Sequence, residues 1–281
     1  MGRMTVDAHT KVLGIIGTPV EHSKSPQMHA EFARLTGINC VYTAFDVTTD
    51  RLADAIYGVR GLGIKGVNIT APHKLDVIEY LDEISEYARL FGSVNTVVNR
   101  EGKLVGYNTD AEGFYKSILR EGIDIVDKDV LIFGAGGATQ PIVVLFAMRG
   151  AKSITVINRT EARANKLKDY VKLAVGYDIN TKMQLSHYDV VINTTTAGMA
   201  PQTGVLPYED LGFIDSDTAV VDMIYNPWQT EFLKQAELRG AKTVNGLGML
   251  IYQGILAYEL FTDTKLPENA FELAKKAVLG K

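Results

Sequence analysis

The sequence predicts an α/β protein made of two domains, each with a mostly parallel sheet flanked by helices. Strand-like and helix-like segments alternate along nearly all of the 281 residues, which is typical of parallel sheets with helices on both faces. This length is enough for one large domain or two ordinary ones. The alternation restarts after Asp110, so we expect a domain boundary near residue 111.

The first half of the chain supplies strands, helices and one hairpin. Hydrophobic periodicity predicts strands at 12–17, 40–47 and 67–70. It predicts helices between them, at 27–37 and 50–60. Asp50 is expected to cap the second helix, and Ser25–Pro26 has the composition of a helix start with Ser25 as N-cap. Residues 94–110 predict a hairpin that turns at Glu101–Gly102.

The second half repeats the alternation. It begins with a helix from Asp110 to about Gly122. Strands are predicted at 129–133, 153–157, 188–192 and 218–222, and helices at 137–149, 160–174 and 230–239. Residues 246–279 predict two further helices, separated around 262–267.

The composition excludes several classes of protein. With 33 acidic and 29 basic residues, the net charge of -4 offers no excess of positive charge for nucleic acid. Cys40 is the single cysteine, which excludes an intramolecular disulfide and a multi-cysteine metal site. No run of about 18 apolar residues is present, and the N-terminal segment lacks the pattern of a signal peptide. We therefore expect a cytoplasmic protein that contacts neither membrane nor nucleic acid.

The most informative local motif is "VLIFGAGGATQPIVVLF". A hydrophobic strand runs into Gly134-Ala135-Gly136-Gly137-Ala138 and then into an apolar helix. Glycines in this position allow a tight turn and the close approach of backbone to a pyrophosphate, which the start of the helix attracts. Thr139 replaces the third glycine of the usual pattern. The placement between strand and helix nevertheless favours a dinucleotide site.

The end of the next strand indicates which dinucleotide. Chains that bind NAD usually carry an acidic residue there, which accepts a hydrogen bond from the ribose 2′-hydroxyl. Here the strand ends in Asn158-Arg159-Thr160, with Arg163 one helical turn further on. Guanidinium groups and a hydroxyl suit a 2′-phosphate, so the motif favours NADP. The alternative is that the two arginines form a solvated surface pair.

Polar side chains follow the strands of the first domain, where a parallel sheet places its ligand crevice. They are Ser23, Ser25, Thr70, Lys74, Asn95, Asn108 and Asp110. Serine hydroxyls suit a carboxylate or a polyol, although a helix start and a solvated lysine would explain Ser25 and Lys74 equally simply. His22 and His73 are rival acid–base candidates, because the histidine pKa lies near neutrality. No histidine spacing predicts a metal site.

Taken together, the motifs resemble those of the shikimate dehydrogenase family over nearly the whole chain. The segments that carry the resemblance, in the family's order, are "GTPVEHSKSP" (17–26), "GVNITAPHK" (66–74), "SVNTVV" (93–98), "GYNTD" (106–110), "GAGGA" (134–138), "NRTEAR" (158–163), "INTTTAGM" (192–199), "DMIYNP" (222–227) and "NGLGMLIYQG" (245–254). The resemblance implies reversible reduction of 3-dehydroshikimate to shikimate with NADPH, a step in making aromatic amino acids.

The resemblance also implies roles for individual residues. Lys74 would be the catalytic proton donor and acceptor, with Asp110 as its partner. Ser23 and Ser25 would hold the substrate carboxylate. The ring hydroxyls would be contacted, or their pocket lined, by Thr70, Asn95, Asp110, Tyr225 and Gln253.

On the cofactor side, the resemblance implies the pyrophosphate at Gly134 to Ala138 and the 2′-phosphate at Asn158, Arg159, Thr160 and Arg163. Met223, Gly246 and Met249 would lie near the nicotinamide. Residues 1–110, completed by helices 247–281, would form the substrate domain, and 111–246 a Rossmann-type NADP domain, with the active cleft between them. The partner is a small molecule, and the chain is expected to be a monomer or a homodimer.

Three alternatives stay open at this point. The first is a broader quinate/shikimate dehydrogenase that uses NAD or NADP. The second is a non-catalytic NADP-sensing module, which the presence of both Lys74 and Asp110 disfavours. The third is a reductase of another small ketone, which would need a changed substrate pocket.

Overall fold

The fold confirms the α/β prediction, with helices alternating with strands of two mostly parallel sheets. The computed structural model describes residues 6–184 and 186–280. The chain divides into two compact units. Unit 1 comprises the residues up to Gly113 together with those from Ile251 onward, and unit 2 runs from Phe114 to Leu250.

Unit 1 carries the first six strands. In chain order its elements are β1 (Lys11–Gly17), α1 (Ser25–Thr36), β2 (Cys40–Asp46), α2 (Leu52–Gly61), β3 (Gly66–Ile69), β4 (Glu83–Ile84), α3 (Glu86–Phe91), β5 (Thr96–Arg100), β6 (Lys103–Tyr107) and the start of α4 (Asp110–Arg120). Short 3-10 turns at Thr49–Arg51 and Asp76–Tyr80 complete the described part of this segment.

Two predicted helix starts are wrong in detail. Ser25 is not the N-cap of α1 but its first residue; the helix begins after Lys24, whose backbone already has helical dihedral angles. Proline is tolerated in this first turn because its missing N–H would have no partner there. Asp50 does not cap α2 either, because it lies inside the 3-10 turn that leads into that helix.

One strand of the unit 1 sheet runs against the others. The order is β2-β1-β3-β5-β6-β4, and β5 pairs antiparallel with both of its neighbours while the remaining pairs are parallel. The start of β5 therefore lies at the edge of the sheet where β1, β3 and β6 end. We call this edge the polar edge, because the side chains that reach it are mostly polar.

One part of the unit 1 core lies between the sheet and α2. Val67, Val97 and Leu104 of the sheet and Ile56 and Val59 of α2 are almost completely buried in one cluster. Full burial of such a side chain stabilises the folded state by about 1.5–3 kcal/mol. The hairpin β5–β6 turns at Glu101–Gly102 as predicted, with φ of 55° and 93°. Two positive φ values are the signature of a type I′ turn, which matches the twist of the strands.

Unit 2 is a second, fully parallel α/β layer. Its elements are the remainder of α4, β7 (Asp129–Phe133), α5 (Thr139–Arg149), β8 (Ser153–Ile157), α6 (Glu161–Val175), β9 (Val190–Asn193), β10 (Ala219–Asp222), α7 (Glu231–Glu237), β11 (Lys242–Val244) and the start of α8 (Leu247–Thr262). The last helix of the chain, α9 (Ala270–Leu279), belongs to unit 1.

The strand order of unit 2 places a ligand crevice beside β7. The order is β11-β10-β9-β7-β8, so the chain moves to one side of β7 first and to its other side afterwards. Crevices form outside the carboxyl ends of the strands at such a switch point. The residues expected there are those that follow β7, β8 and β9.

The unit 2 core explains why β7 and α5 are so apolar. Ile132 and Phe133 of β7 are buried, as are Val144 and Phe146 of α5. Strands of a parallel sheet with both faces covered read as continuous hydrophobic runs. None of the helices in the part of the chain that the structure describes has the length and apolar character needed to cross a membrane.

Candidate active site and dinucleotide site

The polar edge of unit 1 gathers residues from four separate loops. Ser23 and Ser25 follow β1, Thr70 and Lys74 follow β3, Asn95 precedes the reversed β5, and Asp110 follows β6. Because the topology turns the start of β5 to the same edge as three strand ends, these six of the predicted residues lie at one edge of the sheet. This edge is the candidate active site.

Lys74 and Asp110 form the charged centre of this site. The Lys74 ammonium donates a hydrogen bond of 2.7 Å to Asp110 Oδ2. The side chains are 27% and 11% exposed, so the pair is shielded but still open to a ligand. Asp110 is the first residue of α4, where the helix dipole favours a carboxylate. Among the described residues no second acceptor binds this ammonium, which leaves two of its three N–H groups for a ligand.

Asn95 holds the second oxygen of Asp110. Its Nδ2 donates to Asp110 Oδ1 and to Thr109 Oγ1, both at 2.9 Å. Its Oδ1 accepts from the Thr109 backbone N–H at 2.7 Å and from the Thr96 hydroxyl at 3.1 Å. The amide is only 2% exposed. Asn95 therefore fixes the orientation of the carboxylate as well as the course of the chain into α4.

The remaining polar-edge residues present hydroxyls. Ser23 is partly exposed, and its Oγ accepts from the Ser25 N–H at 3.3 Å. Ser25 is 5% exposed. Thr70 is half-buried directly after β3, and its N–H donates to the Ile16 carbonyl at 2.9 Å, which anchors the loop that leads to Lys74.

The two histidine rivals have different positions. His73 is completely buried, with Nε2 2.7 Å from the Val47 carbonyl, so it ties the loop to the end of β2. His22 is exposed and precedes Ser23. Neither forms a described hydrogen bond to the Lys74–Asp110 pair.

Sequence reasoning missed Asn68, which belongs to the same network. Its Nδ2 donates to the Asn95 carbonyl at 3.2 Å and to Thr96 Oγ1 at 3.0 Å. An asparagine inside a strand that is otherwise apolar, and only 5% exposed, was the available signal. Buried polar groups need partners, and such a residue predicts a polar network at its position.

The glycine loop of unit 2 lies between β7 and α5, as predicted. Gly134 has φ of 111°, and a Cβ built on it would lie 2.5 Å from Thr194 Oγ1, so only glycine fits there. A Cβ on Gly136 or Gly137 would meet nothing within 4 Å. The loop backbone therefore faces open space at the start of a helix, which is the arrangement that accommodates a pyrophosphate.

A cavity of about 820 Å³ continues from this loop. Its lining includes all four residues predicted for the 2′-phosphate: Asn158, Arg159, Thr160 and Arg163. Glu161 is paired with Lys182 at 4.0 Å, and within the described residues neither Arg159 nor Arg163 is paired with a carboxylate. Two exposed guanidinium groups beside an open glycine loop fit a dinucleotide that carries a 2′-phosphate.

Thr139, which replaces the third glycine of the motif, has a structural role. Its side chain is fully buried, and its Oγ1 accepts from the Gly136 N–H at 3.2 Å and contacts Thr194 Oγ1 at 2.7 Å. Thr194 donates in turn to the Phe133 carbonyl at 2.8 Å. The hydroxyls thus lock the glycine loop onto the ends of β7 and β9. Thr194 was not predicted, although a run of threonines after a buried strand was visible in the sequence.

The other predicted residues are divided between the two units. Met223, Gly246 and Met249 lie in unit 2, as does Tyr225, whose phenol has its pKa raised by burial. A Cβ on Gly246 would collide with the Met223 carbonyl, so these two predicted residues are adjacent. Gln253 lies on α8 in unit 1, half-buried. Within the described residues, no group of three or more His, Cys, Asp or Glu side chains could hold a metal ion.

A glycine loop and an arginine-lined cavity in one α/β unit, with a lysine–carboxylate pair in the other, are the features of a dinucleotide-dependent oxidoreductase. Family models match three segments: "Shikimate dehydrogenase substrate binding domain" at 15–97, "Shikimate / quinate 5-dehydrogenase" at 116–203 and "Shikimate 5'-dehydrogenase C-terminal domain" at 246–279. The chain belongs to the shikimate dehydrogenase family.

Individual relatives agree with this assignment. A shikimate dehydrogenase (NADP(+)) of Methanococcus maripaludis is 42% identical, with 98% of this chain and 99% of the relative covered. A shikimate dehydrogenase solved in complex with NADP+ superposes with a TM-score of 0.92 at 39% identity, covering 98% and 97%. A shikimate 5-dehydrogenase of Listeria monocytogenes, solved with shikimate and NAD, gives a TM-score of 0.88 at 33% identity and covers 98% of both chains.

Proposed function

We propose that the chain is an NADP-dependent shikimate dehydrogenase, which reversibly reduces 3-dehydroshikimate to shikimate with NADPH. The observation that carries the proposal is the shielded Lys74–Asp110 pair, with two ammonium protons left for a ligand, at an edge that also presents serine and threonine hydroxyls. The family membership of the chain supports the same substrate and cofactor.

The proton is handled by Lys74. When bound, NADPH supplies the hydride that the ring ketone accepts. As the hydride arrives, negative charge builds on the ketone oxygen, and a donor within about 3 Å stabilises it. The Lys74 ammonium donates a proton to that oxygen and so completes the alcohol. In the reverse direction the neutral amine accepts the hydroxyl proton.

Asp110 keeps the lysine in place. One of its oxygens binds the Lys74 ammonium and the other is held by Asn95, so the carboxylate cannot rotate freely. A fixed carboxylate directs the remaining ammonium protons toward the ligand, and its exposed fraction of 11% lets it also accept from a neighbouring substrate hydroxyl.

Substrate recognition is assigned to the polar groups around this pair. Ser23 and Ser25 donate to the carboxylate of the substrate. The ring hydroxyls are contacted, or their pocket is lined, by Thr70, Asn95, Asp110, Tyr225 and Gln253. The ring carbon that carries the carboxylate is flat in shikimate, whereas in quinate it is saturated and bears an added hydroxyl. Since the serine side chains fit the flat group, we expect a strong preference for shikimate.

The dinucleotide is held by unit 2. The backbone of Gly134 to Ala138 binds the pyrophosphate at the start of α5, and Asn158, Arg159, Thr160 and Arg163 bind the adenosine 2′-phosphate. Met223, Gly246 and Met249 line the nicotinamide end. Residues 1–110 with 247–281 are accordingly the substrate domain, and 111–246 the NADP domain.

The test is an assay of shikimate and quinate, each with NADP and with NAD, in which the absorbance of the reduced cofactor is followed. We expect rapid reduction of the cofactor with shikimate and NADP, and slow reduction of the cofactor in the other three combinations. Comparable kcat/KM with quinate would favour the broader quinate/shikimate enzyme, and comparable rates with NAD would contradict the assignment of Arg159. Binding of NADP without turnover of either substrate would indicate a non-catalytic NADP-sensing module.

Three further properties are part of the proposal. We propose that the protein is cytoplasmic, which fractionation of cells that produce it would test. We propose that its partners are small molecules only. We also propose that it is a monomer or a homodimer, and light scattering coupled to gel filtration measures its mass directly.

A further inference from the structure

Asp222 is a completely buried carboxylate of unit 2 that has no part in the proton transfer or in the binding of either ligand. It is the last residue of β10, and among the described residues no lysine or arginine pairs with it. Burial of a carboxylate without a cation costs stability unless several donors satisfy it. The donors around Asp222 therefore indicate what this group does in the fold.

Three donors from three different segments bind the Asp222 carboxylate. Its Oδ1 accepts from Asn193 Nδ2 at 3.1 Å and from the Ile224 N–H at 3.0 Å, and its Oδ2 accepts from the Thr230 hydroxyl at 2.6 Å. Asn193 ends β9, Ile224 lies in the loop after β10, and Thr230 is the N-cap of α7. Burial raises the pKa of this carboxyl, and the three hydrogen bonds oppose the increase because they favour the charged form.

Asn193 extends this network into the loop that follows β9. Its Nδ2 also donates to the Ala197 carbonyl at 3.2 Å, and its Oδ1 accepts from the N–H and the hydroxyl of Thr195 at 3.0 and 2.7 Å. Its backbone carbonyl accepts from the Met223 N–H at 3.0 Å. Thr195 and Ala197 line the dinucleotide cavity. The network therefore joins one wall of that cavity to the residue that follows Asp222.

The same network fixes two of the residues assigned to the nicotinamide. Met223 directly follows Asp222 and is half-buried, so part of it stays open to a ligand. Ile224 donates through its N–H to Asp222 and accepts through its carbonyl from the Gly246 N–H at 3.1 Å. A Cβ on Gly246 would lie 1.9 Å from the Met223 carbonyl oxygen, so the two backbones are in close contact. A shift of Asp222 would therefore move Met223 and Gly246 together.

The adenosine end of the dinucleotide site lies elsewhere on the sheet. Residues 158–163 follow β8, and in the strand order β9 and β7 separate β8 from β10. Neighbouring strands are about 4.8 Å apart, so β10 and β8 are separated by about 14 Å. None of the described hydrogen bonds of Asp222 reaches residues 158–163. A change at Asp222 should therefore affect the two ends of the dinucleotide differently.

We propose that Asp222 is a positioning residue for the nicotinamide end of the dinucleotide, and thereby for hydride transfer, which acts by holding Met223 and Gly246 in place. The inference rests on the proposed function, because it takes the nicotinamide to lie at these two residues. Hydride transfer needs the donor and acceptor carbons in near contact, and a misplacement of about 1 Å costs about 100-fold in rate. Since Asp222 is completely buried, it acts only through its neighbours.

The experiment compares Asp222→Asn with a matched control, Asp189→Asn. Asparagine keeps the size of the side chain but replaces one acceptor oxygen by a donor, so Asp222→Asn loses at least one of the hydrogen bonds. Asp189 precedes β9 at the opposite edge of the same sheet, and its Oδ2 accepts from the Asp129 N–H at 2.8 Å.

Two ligands distinguish the ends of the dinucleotide site. NADP occupies both ends, whereas adenosine 2′,5′-bisphosphate carries the 2′-phosphate and has no nicotinamide. The Kd of each is measured by calorimetry. The kcat and the KM of shikimate are measured in the oxidation assay with NADP, and urea unfolding of the same samples gives the stability of each variant.

We expect Asp222→Asn to lower kcat about 10- to 100-fold and to raise the Kd of NADP about 2- to 10-fold, with the Kd of adenosine 2′,5′-bisphosphate unchanged. Asp189→Asn should lower the free energy of unfolding and leave the kinetic and binding constants as in the wild type. A merely structural role of Asp222 would give both variants this second pattern. Unchanged kcat in Asp222→Asn, or an equal loss of affinity for both ligands, would overturn the inference.

A second pair of variants decides the question if Asp222→Asn does not fold. Thr230→Val removes the hydroxyl that donates to Asp222 Oδ2, whereas Thr230→Ser keeps a hydroxyl there. We expect Thr230→Val to lower kcat about 2- to 10-fold, the effect of losing an ordinary hydrogen bond, and Thr230→Ser to retain the kcat of the wild type. Equal kcat in Thr230→Val and Thr230→Ser would refute the positioning role.

The outcomes separate this inference from the proposed function. A wild type that binds NADP but does not oxidise shikimate refutes the proposed function alone, and the two binding constants still test Asp222 because they need no turnover. An active wild type whose constants are unaffected by Asp222→Asn and by Thr230→Val refutes the inference alone. A wild type that does not bind NADP refutes both.

Discussion

Replacement of Lys74 by alanine separates catalysis from stability in this enzyme. The ion pair with Asp110 is 27% and 11% exposed, and pairs that water can reach contribute at most about 1 kcal/mol to the free energy of unfolding. Asp110 also keeps its bonds to Asn95 and the favourable helix start. We therefore expect Lys74→Ala to lower Tm by only about 1–3 °C.

The catalytic effect should be far larger. A positioned general acid or base accelerates a reaction by about 10²–10⁴-fold, equivalent to about 3–5 kcal/mol of transition-state stabilisation. Since the proton moves only as the hydride moves, the loss should fall on kcat, with little change in the KM of shikimate.

Steady-state oxidation of shikimate, followed through the absorbance of NADPH, measures both constants, and thermal unfolding of the same samples measures Tm. Lys103→Ala is the matched control, because Lys103 pairs with Glu83 at 2.5 Å at the opposite end of β6 and is 52% exposed. It should leave kcat unchanged. Turnover near that of the wild type in Lys74→Ala would refute the assignment of Lys74 as proton donor.

Three further outcomes are expected. Arg159→Ala should reduce the preference for NADP over NAD about 10- to 100-fold, since a charge-assisted hydrogen bond to the 2′-phosphate is lost; an unchanged preference would contradict the cofactor argument. Thr139→Val should weaken NADP binding and lower the free energy of unfolding by about 1–3 kcal/mol, because Gly136 N–H and Thr194 lose their buried partner; urea unfolding tests this. The folded-state pKa of His29 is depressed to about 3, so the unfolded chain binds its proton first and stability is lost as pH falls below about 6.5. Between pH 7 and about pH 4.5, the free energy of unfolding of His29→Leu should therefore fall by about 2–3 kcal/mol less than that of the wild type. An identical fall in both proteins would refute the depressed pKa of His29.

The sequence predicts best the elements that are buried on both faces. The strands at 129–133 and 153–157 have the predicted bounds, because continuous hydrophobic runs between turn residues leave little choice of register. The strands Glu83–Ile84 and Lys242–Val244 and the helix Glu86–Phe91 were missed. They are short, and their conformation depends on the neighbouring strand or helix more than on their own composition.

The same distinction applies to the candidate site. The loops that carry Ser23, Thr70 and Lys74 could be predicted, since strand ends and topology can be read from periodicity. The bonds that orient these groups could not. Asn68 and Tyr42 lie inside strands. The Tyr42 hydroxyl donates to Asn68 Oδ1 at 2.8 Å only because the register of three strands places both side chains on one face. Such contacts join remote segments, and no local pattern records them.

The two-residue turn at Glu101–Gly102 has a consequence for the opposite end of its hairpin. Asn95 stands before β5 and Asp110 after β6, and the pairing of those strands, from Arg100 with Lys103 to Thr96 with Tyr107, begins at this turn. One residue inserted there would shift the two strands relative to each other and reverse the faces that their side chains occupy. The amide would then no longer meet the carboxylate. The length of this turn thus determines whether Asn95 and Asp110 face each other at the far end of the hairpin. Changing the turn would alter the geometry of the Lys74–Asp110 pair without replacing a ligand-binding residue.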